Sequence, residues 1–206
     1  MANLSQTGFF PWGNYGSTST QTKRERVASN NGTAIFKGDM IDFTAAGVVG
    51  IATAGSGAIG ASTGASYWDA TINGRRENPY LPASTTYSST AFDDYGNTDE
   101  SFIYVTADPV NTRFVCQYSA STPALTDITK NANFAAGSGG STTTGISSHV
   151  LDQTTVATTL SLDLRIRDIV HNVRNDPTAV SAKVIVQINH GTLPPFVSTN
   201  PGMVGK

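Results

Sequence analysis

Hydrophobic and polar residues alternate along several stretches of the chain, which is the pattern of β-strands. In residues 160–167, every second position is leucine or isoleucine, and the positions between them carry serine, aspartate or arginine. A period of two with one charged face predicts a strand buried on one side only. Residues 182–189 alternate in the same way. Residues 101–107 carry hydrophobic groups on both faces, which predicts burial on both sides.

Turn-forming residues separate a series of further short strands. Gly38-Asp39 stands between two of them, and Asn73-Gly74 has the composition of a tight hairpin turn. One or two helical turns are predicted at residues 123–130. The pattern therefore predicts a mainly β fold, an antiparallel β-barrel or sandwich with at most one or two short helices and an extended N-terminal arm. The predicted short strands are Ile35–Phe36, Met40–Phe43 and residues 48–53, 58–61, 66–71 and 112–118.

Composition divides the chain into three regions. Residues 1–33 show no helical or strand period and are predicted to form an extended N-terminal arm, whereas residues 34–193 hold the predicted strands of one β domain. Residues 194–206 contain three prolines and predict an extended C-terminal tail. Within the domain, residues 75–100 are polar and include a cluster of acidic side chains. This composition predicts a long exposed loop, and long loops in compact domains are often functional.

Charge is scarce in this chain. Asp, Glu, Lys and Arg make up 14% of the 206 residues, against about 25% in a typical domain. Coiled coils and helical bundles need more charged residues, and a net charge of −2 is too small for charge-driven disorder. A pI near 5.8 argues against nucleic acid as a partner. The sequence has no leader peptide pattern and no membrane-span pattern, and Cys116 is the single cysteine. We therefore expect a soluble protein, with no membrane partner, that folds in a reducing cytoplasm.

Motifs that suggest catalysis are incomplete. Residues 55–60 spell the Gly-x-Gly-x-x-Gly dinucleotide fingerprint, but no helical pattern follows to hold a pyrophosphate. Ser147 and His149 are close in sequence, yet the second glycine of a nucleophile elbow is missing. The three histidines lack metal-ligand spacing, and the acidic residues within 93–100 lack the spacing of a calcium loop. We therefore expect no enzymatic activity, no cofactor and no metal ion.

Two other features suggest a contact surface. Four aromatic residues stand among glycine, serine and threonine in the N-terminal region, and exposed aromatic clusters often mark interfaces. Folding of this region back onto the domain's own core is an equal alternative. Two small basic clusters suit pairing with the carboxylates of a partner protein as well as simple exposure. The candidate contact residues are Phe9, Phe10, Trp12, Tyr15, Lys23, Arg24, Arg26, Arg75 and Arg76.

Several short motifs also follow one another in a characteristic order. They are FKGD at 36–39, GVVGIA at 47–52, SYWD at 66–69, NPYLPA at 78–83, IYVTADP at 103–109, RFVCQ at 113–117 and VIVQINH at 184–190. In this order they resemble the head decoration (cement) and minor capsid structural proteins of tailed bacteriophages. The resemblance covers about residues 35–193. The acidic loop is longer than the resemblance leads us to expect, and the match around Asp69 is loose.

The resemblance implies a non-enzymatic virion protein, made in the host cytoplasm, that decorates the outer surface of a capsid and clamps neighbouring subunits of the major capsid protein. It also implies a homotrimer or another homo-oligomer. If the arm reaches the shell, deletion of residues 1–26 leaves a folded domain that no longer binds capsids. An alternative is a surface or tail adhesin, or a carbohydrate-binding module, that uses the loop around Tyr87 and Tyr95. A component of a tail tube or head–tail connector would have the same composition.

Overall fold

The fold is built almost entirely of β-strands. The structure is 48% strand and 4% helix, which confirms the prediction of a mainly β protein. Among the described residues, the helical part consists of two single turns of 3₁₀ helix, Leu125–Asp127 and Gln153–Thr155. The computed structural model describes residues 7–14, 20–69, 71–85, 88–92, 98–99, 101–108, 111–135, 139–172 and 174–189.

The strands are short, with one exception of ten residues. In chain order they are β1 (Phe10–Asn14), β2 (Thr22–Arg26), β3 (Ile35–Phe36), β4 (Met40–Phe43), β5 (Val49–Ile51), β6 (Gly60–Asp69), β7 (Gly74–Asn78), β8 (Tyr80–Leu81), β9 (Ser88–Phe92), β10 (Thr98–Asp99), β11 (Phe102–Thr106), β12 (Thr112–Gln117), β13 (Asn131–Ala132), β14 (Phe134–Ala135), β15 (Gly140–Ser141), β16 (Ile146–Ser147), β17 (Val150–Leu151), β18 (Leu164–Ile169) and β19 (Lys183–Ile188).

The first sheet has five antiparallel strands in the order β1-β12-β19-β18-β13. In its centre, Phe114 of β12 lies opposite Val186 of β19, which in turn lies opposite Ile166 of β18. These side chains are buried on one face, as the alternating pattern of β12 and β19 predicts.

The second sheet has the order β2-β11-β6-β4-β5, and β7 pairs with the other half of β6. The hairpin between β6 and β7 turns at Asn73, whose φ of 49° lies in the left-handed region that asparagine tolerates. One isolated bridge joins Val27, just after β2, to Val49 of β5. The ladder does not continue from this bridge, so the described strands form open, sandwich-like sheets and no closed barrel.

Two hydrophobic clusters hold these sheets together. One lies against the first sheet and includes Phe9, Phe114, Phe134 and Met40, so it joins that sheet to β4. The other packs against one face of the second sheet and includes Tyr67. Burial of each large side chain contributes roughly 1.5–3 kcal/mol to stability. The Phe9 and Phe134 rings meet edge to face at 6.4 Å, which fixes the start of β1 against the core.

The N-terminal region is part of the sheets, which corrects the expectation of an extended arm. β1 pairs with β12 and β2 pairs with β11, so the described residues within 1–33 complete two sheet edges. Phe9 is 0% exposed. The alternative in which the aromatic residues fold back on the core therefore holds for Phe9. Deletion of residues 1–26 would remove both strands, so it does not isolate a binding arm.

Two further expectations need correction. Residues 75–100 are not one loop, because β7, β8, β9 and β10 lie within them. β7 has little hydrophobic alternation and is held by its pairing with β6. The strand predicted at residues 160–167 begins only at Leu164, and Leu160 is 74% exposed. The side-chain amide of Asn189 bonds the carbonyls of Leu160 and Leu162, which holds that segment in a turn. The predicted tail, residues 194–206, lies outside the described residues.

Candidate functional site

One exposed face of the second sheet brings together arginines and aromatic rings from four strands. Arg24 lies opposite Tyr104, and Arg26 lies opposite Phe102. On the far side of β6, Trp68 lies opposite Arg75. Cross-strand partners share a face, and alternate residues of one strand share it too. We call this surface the arginine–aromatic face; it consists of Arg24, Arg26, Trp68, Arg75, Glu77, Phe102 and Tyr104.

Two arginines of this face lie over the same ring. The guanidinium carbon of Arg24 is 3.6 Å from the centroid of the Phe102 ring, and that of Arg75 is 5.5 Å from it. Arg75 also donates from Nη1 to Oγ of Ser66 at 2.8 Å. Cation–π contacts at exposed sites contribute about 0.5–1 kcal/mol each. Their main effect here is to hold two positive charges in fixed positions, which reduces the side-chain entropy that a bound partner must remove.

Glu77 is the acidic residue of the arginine–aromatic face, and it is bonded to a neighbour. The Tyr104 hydroxyl donates to Oε1 of Glu77 at 3.1 Å. Burial and the Glu77 charge raise the pKa of Tyr104, so the phenol stays protonated and remains a donor. Among the described residues, this face carries three arginines and one glutamate.

The remaining basic candidates lie on the opposite side of their strands. Lys23 forms an ion pair with Glu25 at 2.8 Å and lies 5.8 Å from the Phe43 ring. Arg76 pairs with Asp69 at 2.9 Å, and this hydrogen bond lowers the pKa of Asp69. Sequence neighbours in a strand point in opposite directions. The structure therefore divides each basic cluster that the sequence suggested.

The four aromatic candidates do not form one surface. Phe9 is fully buried and is withdrawn as a contact residue. Phe10 is half-buried and lies opposite Val115 on the first sheet. Trp12 is 55% exposed, next to an irregularity in the pairing of β1. Tyr15 lies outside the described residues.

A cluster of three buried polar side chains lies below β4, and we call it the buried polar cluster: Asp39, Ser147 and His149. Nε2 of His149 faces Oδ1 of Asp39 at 3.5 Å. The backbone amide of Met40 donates to Nδ1 of the same ring at 3.3 Å, so the ring proton is on Nε2. The ring also stacks on Phe134 with centroids 5.6 Å apart. None of the three cluster residues is more than 3% exposed.

The hydrogen bonds of this cluster are those of a structural site. Oγ of Ser147 accepts from the His149 backbone amide at 2.9 Å, and its hydroxyl interacts with Asp39. The serine is therefore not activated by the imidazole, as a nucleophile would have to be. Burial lowers the pKa of His149 although Asp39 opposes this, so the imidazole is neutral. Burial raises the pKa of Asp39, against the effects of His149, Ser147 and the Phe36 amide.

The FKGD motif positions Asp39 in this cluster. The Phe36 amide donates to Oδ2 of Asp39 at 2.7 Å and closes a tight turn. Gly38 has a φ of 93°, and a Cβ there would lie 3.0 Å from the Phe9 backbone nitrogen. Only glycine suits this close approach. Sequence reasoning missed the cluster because His149 is far from Asp39 along the chain; the polar turn directly before a buried strand was the available signal.

The glycine-rich motif at residues 55–60 holds an internal carboxylate. The Gly55 amide donates to Oδ2 of Asp163 at 2.7 Å, and the Gly57 amide donates to Oδ1 at 3.1 Å. Asp163 is 0% exposed, and burial raises its pKa. The two amides that a dinucleotide would need are bonded to the protein itself. The glycines therefore fix a loop to the end of the first sheet.

Within the part of the chain that the structure describes, no group of three His, Cys, Asp or Glu side chains is placed to hold a metal ion. Asp93, Asp94, Asn97 and Glu100, together with Tyr87 and Tyr95 of the adhesin alternative, lie outside it. Burial raises the pKa of Cys116, so the thiol is unreactive. No helix in the described ranges has the length and hydrophobicity needed to cross a membrane.

Comparison of the chain with protein-family models, with curated proteins and with solved structures returned no match.

Proposed function

We propose that this chain is a non-enzymatic structural protein of a tailed-phage virion, and that it decorates the capsid by binding subunits of the major capsid protein. The proposal combines the resemblance of residues 35–193 to head decoration proteins with one structural observation. That observation is the arginine–aromatic face, where Arg24 and Arg75 are held over the Phe102 ring on an exposed sheet.

The composition of this face suits a protein partner. Arginine, tyrosine and tryptophan are the residue types enriched where protein–protein contacts contribute most binding energy. The guanidinium group fits a carboxylate through two parallel hydrogen bonds. The exposed guanidinium of Arg24 would suit an acidic patch on the partner. The partner surface in this proposal is therefore acidic, with a hydrophobic site for the Phe102 ring.

The contact of a single copy need not be strong. Many copies on one shell, each joined to its neighbours, add avidity without any new contact. Self-association as a homotrimer or another homo-oligomer belongs to the proposal for this reason, as does a location on the outer surface of the capsid. Trp12, which is 55% exposed on the other sheet, is a candidate for a contact between copies.

The number of copies per particle tests this function. Virus particles purified from the source of the chain would be analysed by quantitative mass spectrometry, with the major capsid protein as the internal reference. We expect copies in the hundreds, at a fixed ratio to the capsid protein, and loss of the chain when the outer surface is treated with protease. A few copies per particle would indicate a tail or connector component instead. Absence from particles, together with specific binding on a glycan array, would support the adhesin alternative.

A further inference from the structure

The chain contains two asparagine–glycine pairs, and the fold holds them differently. Asn31-Gly32 precedes β3, and Asn73-Gly74 stands at the turn between β6 and β7. In such a pair the backbone nitrogen of the glycine can attack the side-chain carbonyl carbon of the asparagine. Glycine favours this reaction because it has no Cβ to hinder the approach and because its backbone is the most permissive. The rate then depends on how firmly the asparagine side chain is held.

The side chain of Asn31 is held by two backbone carbonyls. Its Nδ2 donates to the carbonyl of Thr33 at 2.8 Å and to the carbonyl of Pro82 at 3.3 Å. Its Oδ1 is buried, and its backbone carbonyl accepts from the Ser84 amide at 2.6 Å. The Gly32 nitrogen could reach the side-chain carbon only after these hydrogen bonds break and the side chain turns. The fold therefore protects Asn31.

The side chain of Asn73 is held much less firmly. It is exposed in the turn of the hairpin, and it makes no hydrogen bond to the described residues. Gly74 lies opposite Asp69 at the last position of the β6–β7 ladder, and the ends of secondary-structure elements open more readily than their centres. The Gly74 nitrogen and Cγ of Asn73 can therefore meet without the loss of a side-chain hydrogen bond to the described part of the chain.

We propose that Asn73 is a site of spontaneous deamidation in the folded protein, whereas Asn31 is protected. The Gly74 nitrogen forms a bond to Cγ of Asn73 and loses its proton to water. The bond from Cγ to the side-chain nitrogen breaks, and ammonia leaves. Water then opens the resulting five-membered imide at one of its two carbonyls. The product carries aspartate or isoaspartate at position 73, and water is the only other reactant.

The aspartate product fits the hairpin and changes its charge. Asn73 has a φ of 49°, and aspartate tolerates this left-handed region as asparagine does. Deamidation adds one negative charge two residues before Arg75, which belongs to the arginine–aromatic face. A carboxylate at this position would repel the acidic partner surface. This last consequence rests on the proposed function, but the deamidation itself does not.

Peptide mapping by mass spectrometry tests the proposal on the full-length chain. The folded protein would be incubated at mildly alkaline pH, and the deamidated fractions at positions 31 and 73 would be followed with time. We expect Asn73 to react at least tenfold faster than Asn31. In guanidinium chloride the two rates should approach each other, because the contacts of Asn31 are then lost. Reaction of Asn31 at the rate of Asn73 in the folded chain would overturn the proposal, and so would reaction of Asn73 only in the unfolded chain.

Gly74→Ala and Gly32→Ala are matched variants that the fold can accommodate. A Cβ at Gly74 would lie 3.8 Å from the Ile72 carbonyl oxygen, which is an ordinary contact, and a Cβ at Gly32 would have no atom within 4 Å. We expect Gly74→Ala to slow the reaction of Asn73 at least tenfold and Gly32→Ala to leave it unchanged. Circular dichroism would show that both variants fold. An unchanged rate in Gly74→Ala would contradict attack by the Gly74 nitrogen.

The effect on binding is measured separately. Asn73→Asp reproduces the aspartate product, and we expect it to sediment with purified capsids at least threefold more weakly than the unmodified chain. Undiminished binding would contradict an effect of this charge on the contact face. If the unmodified chain did not bind capsids at all, the proposed function would fail, whereas the deamidation rates would still decide the modification site.

Discussion

The buried polar cluster and the arginine–aromatic face contain the residue types from which functional sites are made, but their surroundings differ. Ser147, His149 and Asp39 are the three side chains of a hydrolytic triad by type, and none of them is more than 3% exposed. Arg24 and Arg75 are surface residues, and both are held over the Phe102 ring. The first group satisfies its hydrogen bonds internally. The second lies on one face of the second sheet.

This difference shows how burial and hydrogen-bond partners decide what a polar residue does. In the buried polar cluster, the Asp39 carboxylate closes a tight turn and also contacts the side chains of His149 and Ser147. These contacts stabilise the fold. On the arginine–aromatic face, the cation–π contacts orient the guanidinium groups without burying them. Substitutions should therefore affect stability in the first region and partner binding in the second.

The largest effect is expected for Asp39→Ala. The substitution leaves two buried donors, the Phe36 amide and the His149 ring N–H, without their acceptor, and each buried unsatisfied donor costs about 1–3 kcal/mol. Urea unfolding followed by circular dichroism would measure the change. The matched control is Asp69→Ala, which breaks a surface ion pair with Arg76 and should lower stability far less. Equal losses in the two variants would remove the distinction between the regions.

A second buried carboxylate extends the comparison. In Asp163→Ala the Gly57 amide loses its acceptor inside the protein, whereas the exposed Gly55 amide can turn to water. We expect a loss of about 1–3 kcal/mol, the cost of one buried unsatisfied donor. Differential scanning calorimetry would detect this as a lower Tm. An unchanged Tm would mean that the glycine loop is not fixed by Asp163.

The pH dependence of stability is the third prediction. Burial lowers the pKa of His149 in the folded state below the ordinary value of 6.5. At His149 the unfolded chain therefore binds a proton that the folded chain does not, so the contribution of His149 to the free energy of unfolding falls as the pH decreases below about 6.5, whereas the raised pKa of Asp39 contributes with the opposite sign. The slope can reach about 1.4 kcal/mol per pH unit. Unfolding curves between pH 7 and pH 5 should show a smaller slope in His149→Gln than in the unmodified chain. The same slope in both would argue that His149 is not the group responsible.

The smallest change in stability is expected on the arginine–aromatic face. Arg24→Ala removes one cation–π contact at an exposed site, which contributes about 0.5–1 kcal/mol. Arg165→Ala, at an exposed arginine of β18, is the matched control and should change stability less. The midpoint of urea unfolding measures both. A loss above that range in Arg24→Ala would assign the face a structural role.

The sequence predicted much of this architecture because strand periodicity is a local signal. β4 and β11 lie where short strands were predicted, and the Asn73-Gly74 turn joins β6 to β7 as its composition indicates. The predicted burial of β11 on both sides was wrong, because Phe102 and Tyr104 are only half-buried. Local patterns failed where tertiary contacts decide the conformation. Leu160 continues an alternating run but lies in a turn held by Asn189. β7 has almost no hydrophobic residue and forms a strand through its partner β6.

The candidate site was predictable only in part for the same reason. The sequence identified Arg24, Arg26 and Arg75 as contact candidates, but it grouped Lys23 and Arg76 with them because strand direction was not considered. Phe102, which joins two of the arginines, was interpreted only as a strand residue. The cation–π cluster depends on the pairing of β2, β11, β6 and β7, and pairing between distant strands has no local signal.

The most direct test of the central claim, that the arginine–aromatic face is the contact surface, is a capsid-binding measurement with Arg24→Glu/Arg75→Glu. Sedimentation with capsids purified from the source of the chain would compare this variant with Arg165→Glu, after circular dichroism has shown that both are folded. We predict that the double variant loses at least tenfold in affinity and that Arg165→Glu binds as the unmodified chain does. Undiminished binding by the folded double variant would contradict the account.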